Sequence, residues 1–258
     1  VADLDAVLFD IDGVLVVDWA PVEGADRALA WLDQRGVPWC CITNTTSHPR
    51  DEIAERLTRV GLPVAPTSIV TATSATAAYL RREHPGASAF VLNEGTFGDD
   101  MTGVSLVEAP EDADVMVLGG AGPGFTHEVL NRMFRRVMDG APLVAMHRSR
   151  YWRSDDGLEM DTAAYAAALE AVSGVEATVC GKPAPAFFRA ALEVVGSPPP
   201  ERALMVGDDA RTDVGGALAA GLRAVLVRTG KFRPGDEGGL PAGVTIDSVA
   251  DLPAWAGP

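Results

Sequence analysis

The stretch Ala6-Val-Leu-Phe9-Asp10-Ile-Asp12-Gly13 decides the fold. Four apolar residues run into two carboxylates at a spacing of two, and a glycine follows. An apolar run with no polar alternation reads as a strand covered on both faces, which is how parallel sheets are built. Spacing of two turns Asp10 and Asp12 to the same face, and Gly13 lets the chain turn sharply. Two neighbouring carboxylates repel, so a cation is their natural counter-charge. Mg²⁺ suits them because it accepts one or two carboxylates together with a carbonyl, waters and phosphate oxygens. The competing reading is an acidic turn that merely closes a buried strand.

The pattern recurs outward from this point. Trp39-Cys-Cys-Ile42 ends at Thr43-Asn44, Ala177-Thr-Val-Cys180 ends at Gly181-Lys182, and Ala203-Leu-Met-Val206 ends at Gly207-Asp208. Helical periodicity fills residues 24–34 and 50–60. Strands alternating with helices predict βαβ units around a doubly wound, Rossmann-like parallel sheet. Ligands bind such sheets beyond the carboxyl ends of the strands, where all four runs deliver a chemically capable group. Between the second and third of these turns, the apolar runs at 89–92, 115–118 and 143–146 and the helical stretches 127–138 and 162–172 predict a second α/β domain. The expected division is a core of residues 1–85 and 178–258 with residues 86–177 inserted. One larger continuous sheet is the alternative. The Gly- and Pro-rich segment 231–243 predicts a surface loop.

Each turn has two readings. Thr43 and the Asn44 amide suit phosphate oxygens, or cap the helix that follows. Asp208, Asp209 and Asp213 suit a metal shell and its surroundings, or cap a helix and complement its dipole; capping explains one or two acids more readily than three in six residues. Lys182 is one of two lysines among 21 Lys plus Arg, the other being Lys231. A compact ammonium suits a phosphoryl group beside a metal better than a planar guanidinium, while the bland reading is a solvated lysine before a helix.

Net charge −15 excludes nucleic acid and anionic membranes as partners, since polyphosphates repel such a surface. No apolar run is long enough to span a bilayer, and no secretory leader pattern is present. Cys40, Cys41 and Cys180 have no metal-ligand spacing and read as packing in a reducing cytoplasm. His127 reads as the first turn of a helix capped by Thr126. No nucleophile-elbow motif supports a serine hydrolase.

Taken together, Phe9-Asp10-Ile-Asp12-Gly-Val14, Thr43, Lys182 and Gly207-Asp208 through Asp213 resemble, in order and spacing, the four motifs of the haloacid dehalogenase superfamily of phosphohydrolases. The long stretch between the second and third motifs resembles the subgroup with a large α/β cap. Pro123-Gly-Phe125, Arg150-Tyr151-Trp152, Gly181-Lys-Pro183 and Val227-Arg-Thr-Gly-Lys-Phe-Arg-Pro234 are similar to the phospholysine phosphohistidine inorganic pyrophosphate phosphatase group.

The resemblance implies a Mg²⁺-dependent phosphohydrolase of a small phosphorylated molecule. It implies that Asp10 is the nucleophile and Asp12 the general acid and base. Asp10, the Asp12 carbonyl and Asp208 would hold Mg²⁺; Thr43, Asn44 and Lys182 would bind phosphate; Asp209 and Asp213 would support them. His147, Arg148, Arg150, Tyr151 and Trp152 are candidates for reading the substrate, or form a cap surface or dimer contact. A homodimer through the cap is the expected assembly. A phosphomutase or phosphotransferase would share the aspartyl-phosphate. A non-catalytic phospho-acceptor would explain Asp10 but neither Asp12 nor the insert.

Overall fold

The computed structural model describes residues 4–154, 157–241 and 243–257. The chain forms two α/β units. The first comprises residues 1–43, 50–70 and 182–258, the second residues 44–49 and 71–181.

The first unit is built on a six-stranded sheet ordered Thr245–Ile246, Arg223–Val227, Ala203–Gly207, Ala6–Asp10, Trp39–Thr43 and Ile69–Thr71. Ala6–Asp10 lies at its centre, parallel to both neighbours, with Leu8 opposite Met205 on one side and Cys40 on the other. All five of its residues are buried, as a strand covered on both faces requires. Helix Ala25–Arg35 buries Ala25, Ala28, Leu29 and Leu32, one stripe at helical spacing, and ends at Gly36, whose N–H reaches the Leu32 and Asp33 carbonyls. That stripe packs with Phe9, Leu15, Ile53 and Leu57 in a core cluster under the sheet.

The second unit has a five-stranded sheet ordered Thr178–Val179, Leu143–Ala145, Val115–Leu118, Ser88–Leu92 and Ser105–Val107, with every neighbour parallel. Helices His127–Met138 and Thr162–Ser173 match the sequence expectation, and Thr126 caps the former through the Val129 N–H.

The division of the chain differs from the expected one at both ends. The second unit begins at Thr71 because helix Ala72–Glu83 packs Ala72, Ala77 and Leu80 against Val115, Val117 and Val144 of that sheet. It extends to Gly181 because Thr178 and Val179 pair with Val144 and Ala145. The run before Lys182 therefore belongs to the second sheet, and only the residue it delivers belongs to the first unit.

Candidate active site

Five groups meet at the carboxyl end of the central strands of the first unit. Asp10 ends the middle strand and Thr43 its neighbour; Asp208 and Asp213 follow the strand on the other side, and Lys182 precedes helix Pro185–Val194. All five are buried.

The Lys182 ammonium donates to Asp10 Oδ1 at 2.7 Å and lies 2.8 Å from Asp213 Oδ1. Burial works against its charge, but Asp10 and Asp213 outweigh that and raise its pKa. Such a buried pair persists because breaking it would strand an uncompensated charge.

Oxygen atoms of Asp10, Asp208 and Asp213 lie within 4.8 Å of one another. Burial, then the nearby Asp10 charge, pushes the Asp208 carboxyl up to about 7. Burial also raises Asp213, to about 6, with Lys182 opposing. Such a cluster is unfavourable by itself and calls for a cation. Asp208 Oδ2 accepts the Lys231 N–H at 2.7 Å, while Oδ1 is buried without a hydrogen-bond partner. A buried, orphaned carboxylate oxygen among acids, in an all-oxygen donor set, fits a hard divalent ion such as Mg²⁺. Asp213 is a poorer ligand despite its proximity. Its Oδ1 faces Lys182, and its Oδ2 accepts the Asp209 N–H at 3.1 Å; it positions the lysine.

Asp209 settles into the capping role. Its Oδ1 accepts the Arg211 and Thr212 N–H groups, both at 2.9 Å. Burial pushes its carboxyl up, but these amides outweigh it and hold the pKa below the usual range. The turn it opens, Ala210–Gly215, is π-helical, with the Val214 N–H reaching the Asp209 carbonyl. Wide turns of this kind recur where a side chain must be re-aimed, and this one turns Asp213 inward.

Asp12 is exposed beside the buried cluster. Partial desolvation, then the Asp10 charge, raises its pKa, which favours the protonated form a general acid needs. Gly13 takes φ +89°, and a Cβ there would stand 2.0 Å from Asp208 Oδ2. Its N–H donates to the Val16 carbonyl at 2.6 Å, tying the turn to the hairpin Val16–Val17 and Ala20–Pro21. The tip of that hairpin, Asp18-Trp19, has two positive φ values, and Arg56 stacks over the Trp19 ring at 4.7 Å.

Asn44 falls in the second unit, where its Oδ1 lies against Gly181. The other candidates also belong to that unit. His147 is buried, not presented to solvent: its Nδ1 accepts the Ser149 N–H at 3.2 Å and lies 4.0 Å from Asp161, which caps helix Thr162–Ser173. Burial lowers its pKa, with Asp161 opposing. Arg148 is paired with Glu170. Arg150, Tyr151 and Trp152 are exposed.

Lys231 opens the Gly- and Pro-rich segment whose composition predicts a surface loop, yet it borders the site. Its backbone holds Asp208, and its charge acts on Asp12, Asp208 and Asp209. The available signal was that this arginine-rich chain uses lysine only here and at Lys182.

A family model for haloacid dehalogenase-like hydrolases matches residues 7–123, and a second, HAD-hydrolase-like model matches residues 179–252. The chain is 38% identical to haloacid dehalogenase-like hydrolase domain-containing protein 2 of Bos taurus, over 91% of this chain and 88% of that protein. It is 36% identical to phospholysine phosphohistidine inorganic pyrophosphate phosphatase of Xenopus laevis, over 90% of this chain and 86% of that protein. Among solved structures, p-nitrophenyl phosphatase from Archaeoglobus fulgidus superposes with a TM-score of 0.88 at 27% identity, covering 97% and 98% of the two chains. With these relatives spanning nearly its whole length and its buried carboxylate–lysine cluster at the strand ends, the chain belongs to the haloacid dehalogenase-like hydrolases.

Proposed function

We propose that this hydrolase is a Mg²⁺-dependent phosphatase that transfers a phosphoryl group from a small molecule to Asp10 and then to water. The observation that carries the reading is Lys182 held between Asp10 and Asp213, beside an Asp208 oxygen that has no protein partner. The names of the relatives, phosphatases of p-nitrophenyl phosphate and of pyrophosphate, point the same way.

Asp10 and Asp208, with the Asp12 carbonyl, would hold the ion, which when bound neutralises charge on the phosphoryl oxygens and on the carboxylates around them. An Asp10 carboxylate oxygen attacks phosphorus, forming a P–O bond as the bond to the leaving oxygen breaks. The leaving oxygen takes its proton from Asp12. Asp12, now a carboxylate, accepts a proton from water; that water attacks phosphorus, and the Asp10–phosphorus bond breaks to release inorganic phosphate. Lys182 and Thr43 stabilise the equatorial oxygens in both transition states, and Asp213 keeps Lys182 charged and aimed.

In the second unit, the hairpin Tyr151–Ser154 and Gly157–Met160 exposes Tyr151, Leu158 and Met160, with Tyr151 opposite Met160. A second copy of the chain covering this face is the assembly we propose, checked by light scattering of wild type against Met160→Glu. Three free, buried thiols accord with a cytoplasmic setting.

The deciding experiment is acid quenching during turnover of ³²P-labelled p-nitrophenyl phosphate. Label retained on wild-type protein and absent from Asp10→Asn is the expected result. Unlabelled protein that still releases phosphate sinks the covalent mechanism.

A further inference from the structure

The loop after strand Arg223–Val227 is fixed to the active site by three successive residues. The Thr229 hydroxyl donates to the Gly13 carbonyl. Gly230 has φ +62° and lies so close that a Cβ would be 2.2 Å from Asp208 Oδ2 and 2.4 Å from Gly13 Cα. The Lys231 N–H donates to Asp208 Oδ2 at 2.7 Å. The backbone of Lys231 is therefore held beside a proposed metal ligand, while the residue as a whole is exposed.

The two lysines of the chain thus flank one carboxylate cluster, on opposite terms. Lys182 is buried and bound to Asp10 and Asp213. Lys231 forms no ion pair among the described residues, although its backbone nitrogen sits 2.7 Å from Asp208 Oδ2. Asp10, Asp12, Asp208, Asp209 and Asp213 crowd the same place. A substrate bearing two anionic groups meets repulsion there that one inward-facing ammonium and one divalent ion, both occupied with the transferred phosphoryl, do not relieve. A hydrated point charge on a flexible stem, anchored at its backbone, can follow an anion that a planar guanidinium would constrain.

We propose that Lys231 is a substrate-binding residue whose ammonium receives a second anionic group, phosphate or carboxylate, next to the phosphoryl that is transferred. The inference rests on the phosphatase reading and narrows its substrate class to small molecules with two neighbouring anions.

The test compares kcat/KM of the full chain with Mg²⁺ on three probes. One, p-nitrophenyl phosphate, has a single anionic group; pyrophosphate and phosphoglycolate each carry a second. Wild type, Lys231→Met and Lys231→Arg are measured on all three. The expected result is that Lys231→Met loses at least about 10-fold more on the two-anion probes than on the aryl ester, through KM, and that Lys231→Arg, which keeps the charge but not the compact head, recovers only part of the difference. Equal losses on all three probes, or losses confined to kcat, would overturn the proposal by reducing Lys231 to a scaffold for Asp208. Wild-type turnover of the aryl ester without turnover of either two-anion probe would also overturn it, leaving the phosphatase reading intact. Absence of wild-type turnover on every probe removes both.

Discussion

At the scale of single residues, environment separates acids that look alike in the sequence. Asp208 and Asp209 are adjacent, yet one is buried with an unused oxygen and the other caps the next turn. The sequence placed both at the right turn but could not divide their duties, because the division depends on partners that only the fold supplies: Asp208 is held by the Lys231 N–H, while Asp209 takes the amides of the π-helical turn that follows it. Asp12, exposed beside the cluster with a raised pKa, carries the proton in our mechanism. Asp12→Asn is expected to lower kcat on p-nitrophenyl phosphate by about 10²–10⁴-fold with an unchanged circular dichroism spectrum; turnover within a few-fold of wild type would remove it from that role. His147 makes a different point. It was a candidate for touching substrate, and burial instead holds its imidazole below the ordinary 6.5 in the folded chain. As pH falls, the unfolded chain takes up this proton first. The stabilisation from neutral His147 is therefore complete above pH 6.5 and drains away below it. Melting temperatures of wild type should fall more steeply between pH 7 and pH 5 than those of His147→Gln; parallel curves would contradict this.

At the scale of elements, the strands and helices were largely legible, because buried parallel strands and amphipathic helices write their periods into the sequence. Helix His127–Met138 agrees at both ends, and Ala25–Arg35 is displaced by a single residue from the expected 24–34. The boundary between units was less legible. Helix Ala72–Glu83 has the same period whichever sheet it covers, and only its packing against Val115 and Val144 assigns it. The two-residue strand Thr178–Val179 carries too little pattern to name its partner. That boundary holds a dense hydrogen-bonding residue. The Thr71 hydroxyl accepts the Ser74 N–H at 3.0 Å in a capping box and donates to the buried Asp100 carboxylate at 2.8 Å. Thr71→Val keeps the shape and removes both bonds, so urea denaturation should register a loss of about 1–2 kcal/mol. A change below a few tenths would mean that the box contributes little.

At the scale of the whole molecule, charge and metal are linked. The chain carries −15, and part of that charge is concentrated on Asp208 and Asp213, which burial first and the nearby Asp10 charge second push up to about 7 and about 6. A cation that offsets this charge stabilises the fold by mass action. Mg²⁺ should raise the melting temperature of wild type, EDTA should reverse the gain, and Asp208→Asn should respond little. An equal shift in the variant would place the ion elsewhere. The site was legible at this scale because four separate strand-end motifs converge on one chemistry. The contribution of Lys231 was half legible: its identity stands out in a chain that otherwise uses arginine, but its hold on Asp208 runs through a backbone amide that any residue but proline supplies.

The cysteines carry a practical corollary. Cys40, Cys41 and Cys180 are all buried, and burial pushes the Cys40 and Cys180 thiols up to about 12. Thiolate is the form that reacts, so maleimide dyes should pass over the native chain. One cysteine introduced on the surface would then be the sole attachment point for a fluorophore or spin label, with no need to remove the natural three.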